Sequence, residues 1–476
     1  MSEFKKINDL DNVAIALDEK SGIKIGHKIA LKDFKKGDEV IKYGNVIGKA
    51  KTNIKEGEWI HSHNLESHLD QKFSYRYNPE FKEIKKQNGT FLGYKREHGR
   101  AGVRNDIYII PTVGCVNVVA KAIESKANKL DKGSIDGIFA LTHQFGCSQL
   151  GDDQKNIANL LASLALNPNA TYVLFIGLGC ENNGIKGIQD LLKPYKRSNI
   201  EFFNCQDYED EIEHGFEIIK KMVEKAKKLK REEVSVKELC VGLKCGGSDA
   251  FSGLTANPTV GKVSDKVISM GGSAILTEVP EMFGAEQILM NKCANKEVFE
   301  KYKKMILDFK KYYTDLGFPV YENPSPGNKE GGMTTLEEKS LGCITKAGSS
   351  KIVDVLDYAQ ECKTNGLSVL NAPGNDLIAS TALAASGCQL ILFTTGRGTP
   401  FSTVVPTLKI ATNERIAKQK KNWIDFCAFD MDDEGLFDLL IKTASGKYKT
   451  KQEDSHEIAF FKKGVTLWVI LRKISC

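Results

Sequence analysis

Leu239-Cys240-Val241-Gly242-Leu243 runs without a break into Lys244-Cys245-Gly246-Gly247-Ser248-Asp249. An apolar run that ends in a polar, glycine-rich exit reads as a strand buried on both faces, with its carboxyl end open to a ligand. The same form recurs three times. Ile138–Leu141 leads into Thr142-His143-Gln144-Phe145-Gly146-Cys147-Ser148, and Tyr172–Ile176 into Gly177-Leu178-Gly179-Cys180-Glu181-Asn182-Asn183. Leu390–Thr394 leads into Thr395-Gly396-Arg397-Gly398-Thr399. Asp106–Pro111, Ala274–Val279 and Leu367–Leu370 are further apolar runs. Between these strands the spacing predicts helices over Val118–Leu130, Asp153–Leu166, Gly184–Leu192, Tyr208–Leu229, Val260–Met270, Lys296–Tyr313 and Asp376–Ser386. The alternation gives an α/β fold with a largely parallel sheet covered on both faces. Ligands bind outside the carboxyl ends of such strands, so four polar exits predict one shared site. Glycines there let the backbone approach a ligand and turn its N–H groups toward an anion.

Outward from this core the chain changes character. Residues 1–70 carry short apolar runs separated by Gly22, Gly26, Gly37, Gly44, Gly48 and Gly57, the pattern of a small all-β module with tight turns. Residues 71–90 read as a linker. The charged stretch Lys227–Lys237 divides the α/β region into a first part, 91–232, and a second, 233–476. Asn323–Gly332 is loop by composition, and loops of that length are often functional. The whole chain of 476 residues is 41% apolar and 27% charged, an ordinary globular composition. No window approaches the roughly 18 apolar residues of a membrane helix, and no apolar secretory region opens the chain. These features predict a cytoplasmic protein without a membrane partner. A net charge of +6 is too diffuse to argue for nucleic acid. The twelve cysteines are expected to stay reduced, with Cys240, Cys388 and Cys427 in apolar core runs.

Three strand exits place a cysteine beside glycine: Cys147, Cys180 and Cys245. Gathered thiolates suit iron, as one ion or as a cluster, while three small residues filling tight turns is the plainer reading. His61 and His63 would project from one face of a strand and could share a metal or an anion; a surface pair is the alternative. His143, at an exit, is placed for a general base or for orienting its loop. Gly93–Asn105 holds Lys95, Arg96, Arg100 and Arg104, a cationic set that suits a carboxylate or a phosphate. No Walker motif or dinucleotide fingerprint is present.

Seven motifs in order, GYKREHGRAGVRN, HQFGCSQLGDD, GLGCENN, LKCGGSDAFSGLTANPTVGKVSD, TEVPEMFGAE, NPSPGNKEGGMTTLEEKSLG and LFTTGRGTP, resemble the altronate/galactarate dehydratase family. The likeness runs from Gly93 to Phe461. The first 70 residues resemble the SAF-like (β-clip) module of that family. The resemblance implies a hydro-lyase that takes water from a hexonate, altronate giving 2-keto-3-deoxygluconate, with Fe²⁺ as cofactor or Mn²⁺ in its place; an iron–sulfur cluster on the thiolates is the open alternative. It implies a small hexonate or aldarate as partner. Galactarate or a related hydroxy acid is the alternative substrate, and a non-catalytic sugar-acid or metal sensor the alternative class. Under this reading His143 is the base with Lys244 as the alternative, and Glu278 an acid or supporting group. Arg100, Arg104 and Arg397 would hold the carboxylate, while Asn182, Asn183, Ser248 and Asp249 would bind hydroxyls. Cys147, Cys180, Cys245, His61 and His63 would be metal ligands, at one site or two. A homodimer is expected on base rates. The apolar Trp468–Cys476 tail departs from the family pattern.

Overall fold

The computed structural model describes residues 4–18, 22–69, 74–321, 323–454 and 456–463; the Trp468–Cys476 tail lies outside them. The first of these stretches is all-β, as its turn glycines predict. Phe4–Lys5, Val13–Ala16, Lys28–Ala30 and Trp59–Ile60 form one antiparallel sheet, and Glu39–Lys42, Asn45–Ala50 and Leu65–Glu66 a second. Val40, Ile47, Ile54, Ile60 and Leu65 are buried between them. Residues 74–89 carry no helix or strand.

The α/β region holds two parallel sheets. The first runs in the order Gly137–Ala140, Asp106–Pro111, Ala170–Gly177, Ile200–Asn204. The second has seven strands: Ile352–Leu356, Gly366–Leu370, Ser273–Leu276, Cys240–Cys245, Leu390–Thr395, Thr407–Ala411 and Phe426–Cys427. Asp106–Pro111, Cys240–Cys245 and Leu390–Thr395 are buried at every residue, the consequence of helices on both faces. Four strands not foreseen, Ile200–Asn204, Ile352–Leu356, Thr407–Ala411 and Phe426–Cys427, lie at or next to sheet edges and are short or carry Glu201, Asp354 and Lys409; Thr90–Gly93 and Glu232–Ser235, also not foreseen, form a separate antiparallel pair. Within the expected loop Asn323–Gly332, Pro326–Glu330 forms a short helix capped by Ser325 and Asn328.

One apolar cluster joins the two sheets: Tyr108, Phe175, Leu161, Leu383 and Phe393 belong to it, and the Tyr108 hydroxyl donates to Val404 O at 3.0 Å. The sheets run in the same sense. Thr142 and Leu377, just beyond carboxyl ends of the two sheets, line one cavity. Pro168 and Lys237, just before amino ends, line another of about 580 Å³. Both carboxyl edges therefore face one side of the molecule. Among the described residues no helix is long and apolar enough to cross a membrane.

Candidate functional site

The Lys244-Cys245 exit ends in a buried cluster of charge. Lys244 is fully buried; its Nζ donates to Asp376 Oδ1 at 2.9 Å, to Cys245 O at 2.6 Å, and to Glu278. The other oxygen of Glu278 accepts from Lys346 Nζ at 2.9 Å and from the Cys245 backbone N–H at 3.0 Å. Glu278 sits at φ 72°, a left-handed conformation that non-glycine residues adopt at a cost and that clusters at functional sites. Cys245 Sγ lies 3.4 Å from Cys343 Sγ, and the Cys343 thiol lies 3.4 Å from Glu281 Oε2. Lys339 Nζ donates to Glu281 Oε1 at 2.8 Å. Asp376 alone of the three carboxylates is open to solvent, its side chain 39% exposed against 0% for Glu278.

Charge balance fixes the protonation states. Burial opposes the charge on Lys244, but Glu278 and Asp376 outweigh it and hold the ammonium above its ordinary range. Burial likewise opposes the Glu281 carboxylate, and Lys339 outweighs it. A hydrogen bond from Cys343 lowers the Cys245 thiol against burial, and Lys346 adds to the effect; Cys343 is raised in turn. The cluster thus sets the ammonium groups of Lys244, Lys339 and Lys346 against the carboxylates of Glu278, Glu281 and Asp376, paired as buried charges have to be.

Among the described residues Cys245, Glu281 and Cys343 are the one set of three potential metal ligands whose atoms lie within 4.8 Å of one another. The donor types, two sulfurs and a carboxylate, suit iron, and lysines stand beside them as countercharges. Glu281 is paired with Lys339, and Lys346 lies beside the two sulfurs.

The other expected residues fall in four places. Arg397, at the Leu390–Thr395 exit, bonds Gly327 O and Glu330 and keeps its guanidinium 45% exposed beside Gly247. Ser248 is buried next to it, its carbonyl taking Asn328 Nδ2 at 2.8 Å. Asp249 is a pin: its oxygens accept from Phe251 N, Ser252 Oγ, Thr412 Oγ1 and Asn413 Nδ2, tying its own exit to that of Thr407–Ala411. A Cβ at Gly396 would stand 2.2 Å from Asp249 Cγ, so that exit requires glycine. Asp249 therefore has no free acceptor for a hydroxyl.

Arg100 and Arg104 lie at the opposite, amino edge, because their motif precedes a strand rather than following one. Arg100 donates to Lys237 O, Ser273 Oγ and Asn365 Oδ1. Arg104 is buried against Glu453 and the carbonyls of Val103 and Thr443. Neither is brought to the carboxyl edge. His61 and His63 do not converge, because the strand ends at Ile60 and residues 61–64 form a turn held by Asn64 Oδ1 on His61 N. His61 Nε2 pairs with Lys329 O at 2.9 Å and its Nδ1 with Ser62 Oγ, while His63 packs on Trp59.

The remaining expected residues belong to the first sheet. His143 is buried, with Nε2 on Pro111 O at 2.8 Å and Nδ1 accepting from Phe145 N–H at 3.1 Å. A carbonyl on one nitrogen and an N–H on the other fix the neutral tautomer, and burial holds the ring down to about 4. Both nitrogens are occupied, so His143 staples its loop rather than serving as a base. Cys147 and Cys180 are exposed, on neighbouring loops joined by Ser148 N to Asn182 Oδ1 (2.8 Å) and Asn183 N to Gly146 O (3.0 Å). Cys245 is buried in the other sheet, so the three expected thiolates do not form one group. The sequence reading passed over Cys343, Glu281, Lys339, Lys346 and Asp376. The acidic residue in TEVPEMFGAE and the lysines of LEEKSLGCITK were visible, but nothing local marks them as neighbours of Cys245.

Three family models match the chain in succession. They are the altronate/galactarate dehydratase SAF domain over residues 11–68, the second domain of D-galactarate dehydratase/altronate hydrolase over 93–227, and the C-terminal domain of D-galactarate/altronate dehydratase over 236–466. The chain is 48% identical to an altronate dehydratase of Bacillus subtilis, covering 98% of this chain and 100% of that one. It is 46% identical to an altronate dehydratase of Escherichia coli, with the same coverage of 98% and 100%. Identity to the galactarate dehydratase (L-threo-forming) of Escherichia coli is 32%, over 94% of each chain.

Proposed function

This chain belongs to the altronate/galactarate dehydratase family, and from that premise we propose that it is a hydro-lyase that converts D-altronate to 2-keto-3-deoxy-D-gluconate and water. The observation that carries the substrate is the near-complete coverage of two altronate dehydratases at 46–48% identity, against 32% for the galactarate enzyme. The Lys244 cluster suits the chemistry. Dehydration removes the proton beside a carboxylate, and the negative charge that develops on the carboxylate oxygens needs a fixed cation in a dry setting. Lys244, permanently charged and fully buried, supplies that cation. Asp376, the exposed carboxylate on the same ammonium, is the group positioned to take the proton. Glu278, enclosed by Lys244, Lys346 and the Cys245 N–H, orients Lys244 and does not reach substrate. Arg397 suits a substrate carboxylate at the mouth.

Iron is the cofactor of this reading, with Mn²⁺ as its substitute; a bound metal centre would act as a Lewis acid toward the departing hydroxyl. We read the setting as cytoplasmic because the described cysteines are unpaired, as in a reducing compartment. A 2-keto-3-deoxy acid assay on altronate, galactarate, mannonate and gluconate, after anaerobic loading with iron, tests the proposal. Altronate is expected to turn over fastest, with Asp376→Asn about 10²–10⁴-fold slower in kcat. Preference for galactarate, or full activity in Asp376→Asn, would overturn the substrate or the base respectively.

A further inference from the structure

We propose that the cavity between the amino edges of the two sheets is a second ligand site, for a small hydroxylated anion: a sugar carboxylate or a sugar phosphate. The cavity measures about 580 Å³, within the range of small-molecule pockets and far more than a lone ion fills. It lies on the side of the molecule away from Lys244. Lys237 on its wall leads into the strand Cys240–Cys245, and Lys244 stands at the far end of that strand. About 20 Å of extended chain therefore separates the two sites.

The walls come from both sheets. Pro168 precedes the strand Ala170–Gly177 and Arg197 the strand Ile200–Asn204, both of the first sheet. Lys237 and Asn365 precede Cys240–Cys245 and Gly366–Leu370 of the second. Arg100, from the cationic motif Gly93–Asn105, reaches the same space and is held there through Lys237 O, Ser273 Oγ and Asn365 Oδ1. The fold thus gives that motif a place that the carboxyl-edge site does not use.

Negative charge is what the cavity lacks. Arg104, Arg231 and Arg397 each have a carboxylate within ion-pair reach. Arg100 and Arg197, both half-buried, have none among the described residues and rest on neutral acceptors, Arg197 on His98 O at 2.9 Å. Burial holds the Arg197 guanidinium below its ordinary range, and its Nε is buried with no hydrogen-bond partner among the described residues. With Lys237 and Lys363, four cations line the space against Glu238 and Glu361. Glu361 supplies the complement. Its Oε2 is also buried without a hydrogen-bond partner, with Lys363 Nζ 3.8 Å away. Buried polar groups are normally satisfied, so an open donor and an open acceptor on one cavity require a ligand that serves both. An anionic group suits Arg197, Arg100 and Lys237, and a hydroxyl suits Glu361. A simple anion answers only the first need, and a cation would meet four like charges.

Calorimetric titration of the full-length protein with glucose 6-phosphate, gluconate and inorganic phosphate tests the site. Saturable binding of the sugar phosphate or the sugar acid is expected, and the tighter of the two names the anionic group. Lys237→Glu, at an exposed position, and Arg197→Gln should each weaken that binding about tenfold or more. Arg397→Gln, at the opposite edge, should leave it unchanged, which separates this site from binding beside Lys244. Binding of neither sugar probe, or binding that ignores Lys237→Glu and Arg197→Gln, would overturn the proposal. Inorganic phosphate bound as tightly as both would overturn it too, by showing an ion site only. Binding is read without turnover, so a failure of the dehydratase reading leaves this result standing.

Discussion

At the scale of single residues, His143 shows how a catalytic-looking side chain can be structural. Its neutral form accepts from Phe145 N–H and donates to Pro111 O, so a proton on Nδ1 would break the first bond. Burial holds its folded-state value at about 4, against 6.5 when exposed. A lowered histidine means that the unfolded chain binds the proton first. Stability from this group is therefore complete above pH 6.5 and is lost as pH falls toward 4, by up to ~3 kcal/mol. Urea unfolding of metal-free His143→Gln, which keeps a donor and an acceptor, should lack that part of the acid limb. An unchanged slope between pH 6.5 and 4 would show that His143 titrates elsewhere. Lys244 is the opposite case. It was legible as a strand-exit cation, but its base role required a neutral amine that Glu278 and Asp376 do not allow. Lys244→Met leaves Asp376 without its cation and Glu278 with Lys346 alone, so it should abolish turnover and also destabilise the fold, by roughly 3 kcal/mol. Paired turnover and urea-unfolding measurements on the variant check both effects.

At the scale of elements, the helix Leu336–Cys343 organises the site and was invisible in the sequence. Every one of its residues is buried, so it has no polar stripe and no helical periodicity to read. Its Glu338 accepts from Lys28 Nζ at 2.9 Å and Lys42 Nζ at 2.7 Å, both from the N-terminal module. Its Lys339 and Cys343 turn the other way, onto Glu281 and Cys245. Burial opposes charge on Glu338, but Lys28 and Lys42 outweigh it and hold the carboxyl far below its ordinary range. Glu338→Gln should thus cost about 3–5 kcal/mol, the effect of leaving two buried cations short of a partner. Thermal unfolding measures the loss, and faster proteolysis within residues 74–89 would report release of the module. The strands and amphipathic helices were legible because their periods are local. The cluster was not, since Cys245 and Cys343 are 98 residues apart and meet only through the fold.

At the scale of the whole molecule, the N-terminal module works as a clamp on the segment that completes the site. Beyond Glu338, it holds Lys329 O through His61 and Glu330 O through His27, while Asn328 in the same segment supports Ser248 O. The module also packs on the end of the Cys245 exit, where Ile15 meets Phe251 and Leu254, so its effect on turnover passes through residues 250–254 as well as 328–343. A chain opened between Leu69 and Ser74 separates the two roles. Tyr75 stays with the larger piece, where its hydroxyl bonds Glu286 and Lys310. Fragments 1–69 and 74–476 should each be inactive on altronate and recover turnover when mixed. A short tether supplies an effective concentration on the order of millimolar, so complementation at micromolar fragment requires the interface itself to be strong. Glu338 sets its pH dependence. A carboxyl lowered on association loses its contribution as pH falls, so complementation should weaken on acidification, and less steeply with Glu338→Gln, where burial of His27 and His61 still opposes protonation. Full activity of fragment 74–476 alone would show that the site closes without the clamp, and that the module's buried lysines serve stability only.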